Sequence, residues 1–392
     1  MLDLPFGLLL PLFDQKHADR SCSYRTHVSA LVVLAGVVAF TGCGRSEPAP
    51  PRVAVEAAAR DGGFAVRRSD PLDATSAPRD TLRVQRVLGD SLSFARIVKL
   101  YHQPGRLLVL DDLLSYHMAS VDLRNGAIRH FGKNGEGPGE FRVPFSASFV
   151  DNEPGNVWIY DFQLNRFSLI DLSAKEPSLK RTTPGPTGLR LLDPVVSNGV
   201  VSNVLSPDGV LAITSMDTPS RHRLMSLGTP FDSVAHPPQI ARRLLNRTFM
   251  SPSPDRERLA IAYQFTNRIE IVSKDGRHLV SAIGPREGRA SYRMERNRFF
   301  WNDDNVALYS GIAASERHIY VLYCGCRFGD EQVVTRMHVF DWDGRFVQEF
   351  AFDRPVGPIA VAADDSALFG FAEEPYPSIV EWKLPFAVRA RT

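Results

Sequence analysis

The chain has 392 residues, of which 44% are hydrophobic and 23% are charged, so its composition is that of a globular protein and not of a disordered one. Its formal net charge of +2 at pH 7 is close to neutral. This excludes a strongly basic protein that attracts nucleic acid through its overall charge, and a strongly acidic, highly solvated protein. The four cysteines are too few and too unevenly spaced for a disulfide-rich scaffold.

The N-terminal region contains the pattern of a secretion signal, which ends at Cys43. An apolar run of about 13 residues over 28–40 has the length of a signal peptide and is too short to span a membrane. Thr41 and Gly42 supply the small residues that a signal peptidase needs before its cleavage site. We therefore predict a signal region over 1–42. An unusually long N-terminal segment with a second apolar patch precedes this run, which suggests that the true start of the protein lies downstream of Met1.

Cys43 is the predicted lipid-attachment residue, because its surroundings resemble the lipobox of bacterial lipoproteins, with Phe40 where leucine is usual. The resemblance implies cleavage before Cys43 and lipid on its thiol and new amino group. Ordinary secretion and an uncleaved anchor are the alternatives. Gly44 implies sorting to the outer membrane in a cell with two membranes. The segment over 43–80, rich in Pro, Ala, Arg and Asp, predicts a flexible tether.

A repeat of roughly fifty residues follows the tether. Short apolar runs, each typical of a buried strand, begin at Leu107, Val157, Val210, Leu259, Ile319 and Ala367. The stretch VWIYDFQLNRFSLI over 157–170 aligns without gaps on LAIAYQFTNRIEIV over 259–272, and each predicts a β-hairpin. A turn-ended strand precedes each hairpin and a fourth strand has room to follow. Continuous apolar runs need neighbours on both faces, which radially packed blades provide.

We therefore predict an all-β fold, a six-bladed β-propeller over 81–392. Another number of blades and separate β domains are the alternatives. The last unit lacks a fourth strand, and the strand-like run TLRVQRVL over 81–88 is available to pair with it. That pairing would close the ring without a covalent bond and would remove an exposed strand edge.

Two stretches carry a resemblance to known families. GKNGEGPGEFRVPFSASFVDNEPGNVWIYDFQLNRFSLIDL over 132–172 resembles one NHL-type repeat, and the stretch from Ser291 is similar to TolB-like six-bladed propeller lipoproteins. The SPD turns at Ser206 and Ser253 also resemble those of TolB-type blades. The resemblance implies the propeller fold and lipidation, and it leaves the activity open.

The glycine-rich loop over 132–141 does not match a phosphate-binding loop. Pro138 stands where a Walker loop needs lysine, and the chain continues into a strand instead of a helix. We interpret these glycines as residues that give the backbone the conformational freedom to cross from one blade to the next. Neither a nucleophile elbow nor a His-Glu-x-x-His zinc pattern occurs, so the sequence predicts no catalytic residue, cofactor or metal.

A propeller enzyme of the lactonase or lyase kind, with a metal in the central channel, is the second hypothesis. The turns DNEPGN and WNDDN contain groups that could bind calcium, although such residues are usually turn formers. Asp111 and Asp161 end two second strands, but Tyr263 and Tyr323 stand at the aligned positions, so no symmetric carboxylate ring is predicted.

Cys324 and Cys326 flank Gly325 just after a predicted strand. In an extended chain both side chains point to one face, at the limit of disulfide reach, and Gly325 could bend them closer. A disulfide, free or buried thiols, and a metal or redox role are the three alternatives.

The crossings between blades should open on one face, around the channel mouth, and they contain more basic than acidic residues. Guanidinium groups suit carboxylates and phosphates through paired hydrogen bonds. We predict an anion-attracting face with the candidate residues Lys133, Arg142, Arg190, Arg243, Arg293 and Arg354. The leading hypothesis is a non-catalytic binding or scaffold propeller, anchored by lipid to the bacterial envelope. Its partner would be a protein or an anionic small molecule or glycan, and not nucleic acid.

Overall fold

The computed structural model describes residues 53–55, 65–71, 80–90, 92–111, 115–150, 153, 155–186, 191, 194–197, 200–205, 210–215, 222–226, 247–288, 290–296, 298–327 and 333–386. The predicted signal region, Cys43, Arg190 and Arg243 lie outside these residues. Within the described ranges, no helix has the length and hydrophobicity to span a bilayer.

The first half of the described chain forms sixteen strands. They are β1 (Val53–Val55), β2 (Ala65–Arg68), β3 (Asp80–Leu82), β4 (Val84–Leu88), β5 (Ile97–Gln103), β6 (Arg106–Asp111), β7 (Tyr116–Asp122), β8 (Ile128–Lys133), β9 (Pro144–Phe149), β10 (Asn156–Asp161), β11 (Arg166–Asp171), β12 (Ser178–Pro184), β13 (Val195–Ser197), β14 (Val200–Leu205), β15 (Val210–Ser215) and β16 (His222–Ser226).

The second half forms thirteen more. They are β17 (Thr248–Pro252), β18 (Arg258–Tyr263), β19 (Arg268–Ser273), β20 (His278–Ile283), β21 (Ala290–Glu295), β22 (Arg298–Trp301), β23 (Val306–Ala314), β24 (His318–Arg327), β25 (Arg336–Asp341), β26 (Phe346–Phe352), β27 (Ile359–Val361), β28 (Ala367–Ala372) and β29 (Ser378–Lys383).

These strands form a β-propeller. In the described part of the chain, five sheets each contain four consecutive antiparallel strands, namely β5–β8, β9–β12, β13–β16, β17–β20 and β23–β26, and a further sheet contains β27–β29 with β4. The first strands of these sheets, β5, β9, β13, β17, β23 and β27, contact one another in cyclic order, with β27 next to β5. Such radial packing is the propeller architecture, so the predicted all-β propeller fold is confirmed.

The hydrophobic core lies between neighbouring sheets. Leu108 and Ile159 belong to one buried cluster that joins the β5–β8 sheet to the β9–β12 sheet, and Leu107 and Phe369 belong to another that joins β5–β8 to β27–β29. Every residue of β10 is buried, because both faces of that strand are covered. This explains why the apolar runs in the sequence are continuous instead of alternating.

The N-terminal segment differs from the predicted flexible tether over 43–80. Strand β1 pairs antiparallel with β21, with Val53 opposite Tyr292, and β2 pairs in parallel with β20, with Ala65 opposite Val280. Each strand satisfies backbone groups at the edge of a sheet that forms from much later residues. The sequence did not indicate these two strands, because edge pairing depends on backbone groups and not on the apolar pattern of the segment.

The run over 81–88, predicted as one closing strand, is divided between two sheets. Strand β3 pairs in parallel with β26, where Leu82 lies opposite Phe352. Strand β4 pairs antiparallel with β29, where Leu88 lies opposite Ile379. Only the second half of the run therefore reaches the last sheet, and the first half widens the sheet before it.

Candidate functional site

Strand direction determines which loops share a face. Since the strands of each sheet alternate in direction, the crossings between sheets and the turns between second and third strands lie on one side, which we call the crossing face. Its described segments include 92–96, 131–143, 162–165, 264–267, 302–305 and 353–358. The turns between third and fourth strands, including Arg124 and Arg277, lie on the opposite face.

Asp111 and Asp161 hold the crossing segments in place. The buried Asp111 carboxylate accepts hydrogen bonds from the backbone N–H groups of Ala95 (2.7 Å) and Arg96 (3.1 Å). Asp161 Oδ2 accepts the backbone N–H of Arg142 at 2.6 Å. Carboxylates that accept backbone N–H groups at such distances form strong, charge-assisted bonds. These two residues therefore fix the entry into the innermost strand of their own sheets.

The glycine-rich loop forms an internally bonded crossing. The Phe141 N–H donates to the Lys133 carbonyl at 2.9 Å, and the Gly137 N–H donates to Glu140 Oε2 at 2.9 Å. Gly132 has a φ of +75°, a left-handed conformation that favours glycine. The loop's N–H groups are used within the loop, which agrees with an architectural role.

The basic candidates on this face have weak partners. Arg142 Nη2 lies 3.3 Å from Glu136 Oε1, and the Arg354 guanidinium lies 3.8 Å from Asp353 Oδ1. The exposed Lys133 ammonium lies 5.9 Å from the centre of a tyrosine ring.

Arg293 is held more firmly, in the β21–β22 hairpin that lies between β20 and β23. Its Nε donates to Glu295 Oε1 at 2.7 Å and its Nη1 donates to the Trp301 carbonyl at 3.1 Å. The hairpin also carries aromatic packing that the sequence analysis missed: the rings of Phe265 and Trp301 lie 4.4 Å apart, and those of Tyr292 and Phe299 lie 5.1 Å apart. The aromatic run RFFW over 298–301 was the sequence feature that could have indicated this packing.

The structure does not bring the described candidates into one pocket. Lys133 and Arg142 share the crossing from β8 to β9, Arg293 lies in the crossing from β20 to β23, and Arg354 follows β26. Because the cyclic order places three sheets between the first crossing and that of Arg293, the positive charges are distributed around the crossing face. This distribution suits an extended ligand better than a small one.

Arg286, which follows β20 at the start of the crossing to β23, is buried. Its Nε donates to Glu349 Oε2 at 2.6 Å and its Nη2 donates to Glu349 Oε1 at 2.8 Å. His338, with no exposed surface, lies 2.9 Å from Glu349 Oε2 through Nε2 and 3.3 Å from the Tyr309 hydroxyl through Nδ1. We call these four residues the Arg286 cluster. It joins the segment after β20 to strands β23, β25 and β26.

Burial and charge set the ionisation of this cluster. Burial lowers the pKa of His338 and outweighs the opposing effect of Glu349, which favours a neutral imidazole. Burial alone would raise the pKa of Glu349, but hydrogen bonds from Arg286 and His338 outweigh it and lower that pKa from 4.5 to about 2. The cluster is therefore a buried ion pair with a neutral histidine. It holds parts of the ring together and has no surface on which a substrate could bind.

Three of the side chains proposed for a channel metal, those of Asn156, Asn302 and Asn305, form hydrogen bonds within the protein. Asn305 Oδ1 accepts the Ser291 N–H at 3.0 Å, and Asn302 Nδ2 donates to the Ser291 hydroxyl at 2.7 Å, so the amides of WNDDN stabilise the base of the hairpin. In DNEPGN, Asn156 Nδ2 donates to Glu153 Oε2 at 2.5 Å. Among the residues with described positions, no group of three or more His, Cys, Asp or Glu side chains could hold a metal ion.

Cys324 and Cys326 form a disulfide in the structure, with their Cα atoms 5.0 Å apart. Gly325 adopts a φ of +60°, a left-handed conformation that bends the end of β24. Of the three alternatives left by the sequence, the structure contains the disulfide.

The match to one protein family agrees with this architecture. The sequence model of the TolB-like 6-blade propeller-like family matches residues 109–364. No curated protein matches the chain. A solved DUF4221-family protein from Bacteroides vulgatus is 11% identical, with a TM-score of 0.49 over 77% of this chain and 97% of that one. The WD40 repeats of RRP9 are 8% identical, with a TM-score of 0.48 over 76% of this chain and 97% of that one.

Proposed function

Because this chain belongs to the TolB-like 6-blade propeller-like family, we propose that it is a lipid-anchored propeller of the bacterial cell envelope that binds an acidic partner at its crossing face. The proposal includes six blades in one closed ring. Support for this comes from the cyclic contacts among the six first strands and from the pairing of β4 with β29, which supplies the strand that the last blade lacks. A closed ring gives the crossing loops a rigid base.

The observation that carries the binding function is that Lys133 and Arg142, at one crossing of that face, are exposed cations. The ion pair of Arg142 with Glu136 is exposed to solvent, whereas that of Arg354 with Asp353 is half-buried. An exposed pair contributes only about 0–1 kcal/mol, so the carboxylates of a partner can replace Glu136 at little cost. Arg142 is also well placed for this exchange, since Asp161 holds its backbone while its exposed guanidinium makes long contacts with Glu136 at 3.3 Å and Asn134 at 3.5 Å.

The partner is extended and acidic, and a protein or a polyanionic glycan satisfies both conditions. Cations at three crossings can each contact a separate acidic group, and electrostatic complementarity of this kind increases association rates and selects among partners. Replacing Lys133 and Arg142 should therefore weaken binding of an acidic polymer, whereas equal replacements on the opposite face should not. Fluorescence anisotropy with labelled poly-L-glutamate measures the difference.

Lipidation at Cys43 is the second part of the proposal, and it rests on the lipobox resemblance and on the small residues before Cys43. The Gly44 that follows favours the outer membrane. We expect the wild-type protein to incorporate a labelled fatty acid during growth of a bacterial host and to fractionate with membranes.

The Cys43→Ser variant should lose that label and leave the membrane fraction. A Cys22→Ser variant is the matched control, since the same thiol is replaced within the predicted signal region. Equal labelling of the wild type and Cys43→Ser would show that the lipobox assignment is wrong.

A further inference from the structure

The Cys324–Cys326 disulfide does little for global stability. A disulfide stabilises a protein mainly by restricting its unfolded chain, and the effect increases with the number of residues in the closed loop. This bridge joins residues separated by two positions, so its loop contains only Gly325. The unfolded chain is therefore restricted very little, and stabilisation does not explain the pair.

The local structure leaves the bridge accessible. Cys324 and Cys326 are both half-buried, while Gly325 between them is exposed. The ladder between β23 and β24 is irregular here, with register shifts on either side of Tyr309. Disulfides that solvent can reach exchange more readily with external thiols than fully buried structural ones do.

Three cationic side chains lie near the end of β24, and Glu349 pairs with two of them, Arg286 and Arg336. The exposed Arg327 directly follows Cys326, Arg336 lies opposite Tyr323 in the neighbouring strand, and the Arg286 guanidinium lies 5.7 Å from the centre of the Tyr323 ring. Cations near a cysteine favour its thiolate form and so make it a better leaving group in thiol–disulfide exchange.

We propose that Cys324 and Cys326 form a redox-active thiol–disulfide exchange site whose reaction partner is a dithiol. A thiolate of the partner attacks one sulfur of the bridge, which breaks the Cys324–Cys326 bond, forms a mixed disulfide and releases the other cysteine as a thiolate. The partner's second thiolate then attacks the mixed disulfide. The partner leaves as a disulfide, and this chain keeps two thiols that take up two protons, so two electrons have passed from partner to chain.

The redox state of the bridge also affects the packing of buried residues. Tyr323 immediately precedes the bridge, and its ring stacks on that of His338 at 4.6 Å between centres. Opening the bridge releases the bend at Gly325 and with it a constraint on Tyr323, which covers one side of the Arg286 cluster. The near-ultraviolet circular dichroism of the folded protein should therefore change on reduction, while its β-sheet signal should not.

The test compares the native and unfolded states of the full chain. Each is treated with a small dithiol and alkylated, and the digested peptide that contains both cysteines is quantified by mass spectrometry, which removes any contribution from Cys22 and Cys43. We expect the native bridge to react at a rate within about tenfold of that in guanidinium chloride. A native bridge that opens only as fast as the whole protein unfolds would overturn the proposal.

Single variants provide a second measurement. In Cys324→Ser and Cys326→Ser, the remaining thiol should form a mixed disulfide with oxidised glutathione in the folded protein, and the adduct adds a defined mass to the same peptide. An adduct in at least one variant supports the exchange site. Its absence in both folded variants, when each forms it after unfolding, would contradict the site, because the sulfurs would then be inaccessible.

Discussion

Glu349→Gln is expected to reduce the free energy of unfolding by about 3–5 kcal/mol, although it changes only one atom of the side chain. The substitution removes the charge that compensates the buried Arg286 guanidinium, and it weakens the hydrogen bond to His338. A buried cation without its partner bears the full cost of desolvation. Equilibrium unfolding in urea measures the effect.

Glu257→Gln is the matched control. Glu257 forms an ion pair with Lys274 at 2.6 Å, but both side chains are more than half exposed. Solvent screens such a pair, so the loss should stay below about 1 kcal/mol. Equal losses in the two variants would show that the Arg286 cluster is not the stabilising contact described here.

The ion pair of Arg286 with Glu349 also predicts how stability depends on pH. Because the pKa of Glu349 is lowered in the folded protein, its stabilising contribution is complete above the ordinary pKa of 4.5 and disappears as the pH falls toward about 2. The difference in unfolding free energy between the wild type and Glu349→Gln should therefore decrease over this range. A difference that stays constant down to pH 2 would contradict the assigned direction.

Removal of β4 is expected to abolish cooperative unfolding. A chain that begins at Arg83 keeps β4, whereas one that begins at Gly89 lacks it, and the two differ by only six residues. In the shorter chain β29 loses its partner strand, the buried Leu88 no longer packs against Ile379, and an open edge can pair with other molecules. Thermal unfolding and light scattering measure the outcome.

We expect one sharp transition for the chain from Arg83, and a broad transition with self-association for the chain from Gly89. Both chains lack β1, β2 and β3. A difference between them therefore reports the loss of β4 and not the loss of the edge strands β2 and β3. Identical unfolding curves for the two chains would show that the pairing of β4 with β29 does not close the ring.

The sequence repeat predicted the strands of the blades because it reflects a shared contact. Asn165 and Asn267 are aligned in the two best-matching units, and both side-chain amides donate to a carbonyl at the end of their own sheet, that of Pro186 at 3.2 Å and that of Gly284 at 2.9 Å. Short apolar runs bounded by such turns are local signals, so they identify strands without any knowledge of the tertiary structure.

The features that were missed depend on partners far away in the sequence. Val53 pairs with Tyr292 and Arg286 pairs with Glu349, and neither local composition nor the repeat indicates these contacts. Lys133 and Arg142 were found because they belong to a recognisable loop. The sequence placed the candidate cations at separate crossings, but the distance between those crossings could not be predicted, since it depends on the order of the sheets around the ring.

The binding of labelled poly-L-glutamate by two double variants at low ionic strength tests the proposed function most directly. Lys133→Ala/Arg142→Ala changes the crossing face, and Arg124→Ala/Arg277→Ala removes two exposed charges from the opposite face, so both variants have the same net charge. We predict that the first weakens binding at least about tenfold and that the second changes it by less than about twofold. Equal binding by both variants and the wild type, or an equal loss in both, would contradict a binding site on the crossing face.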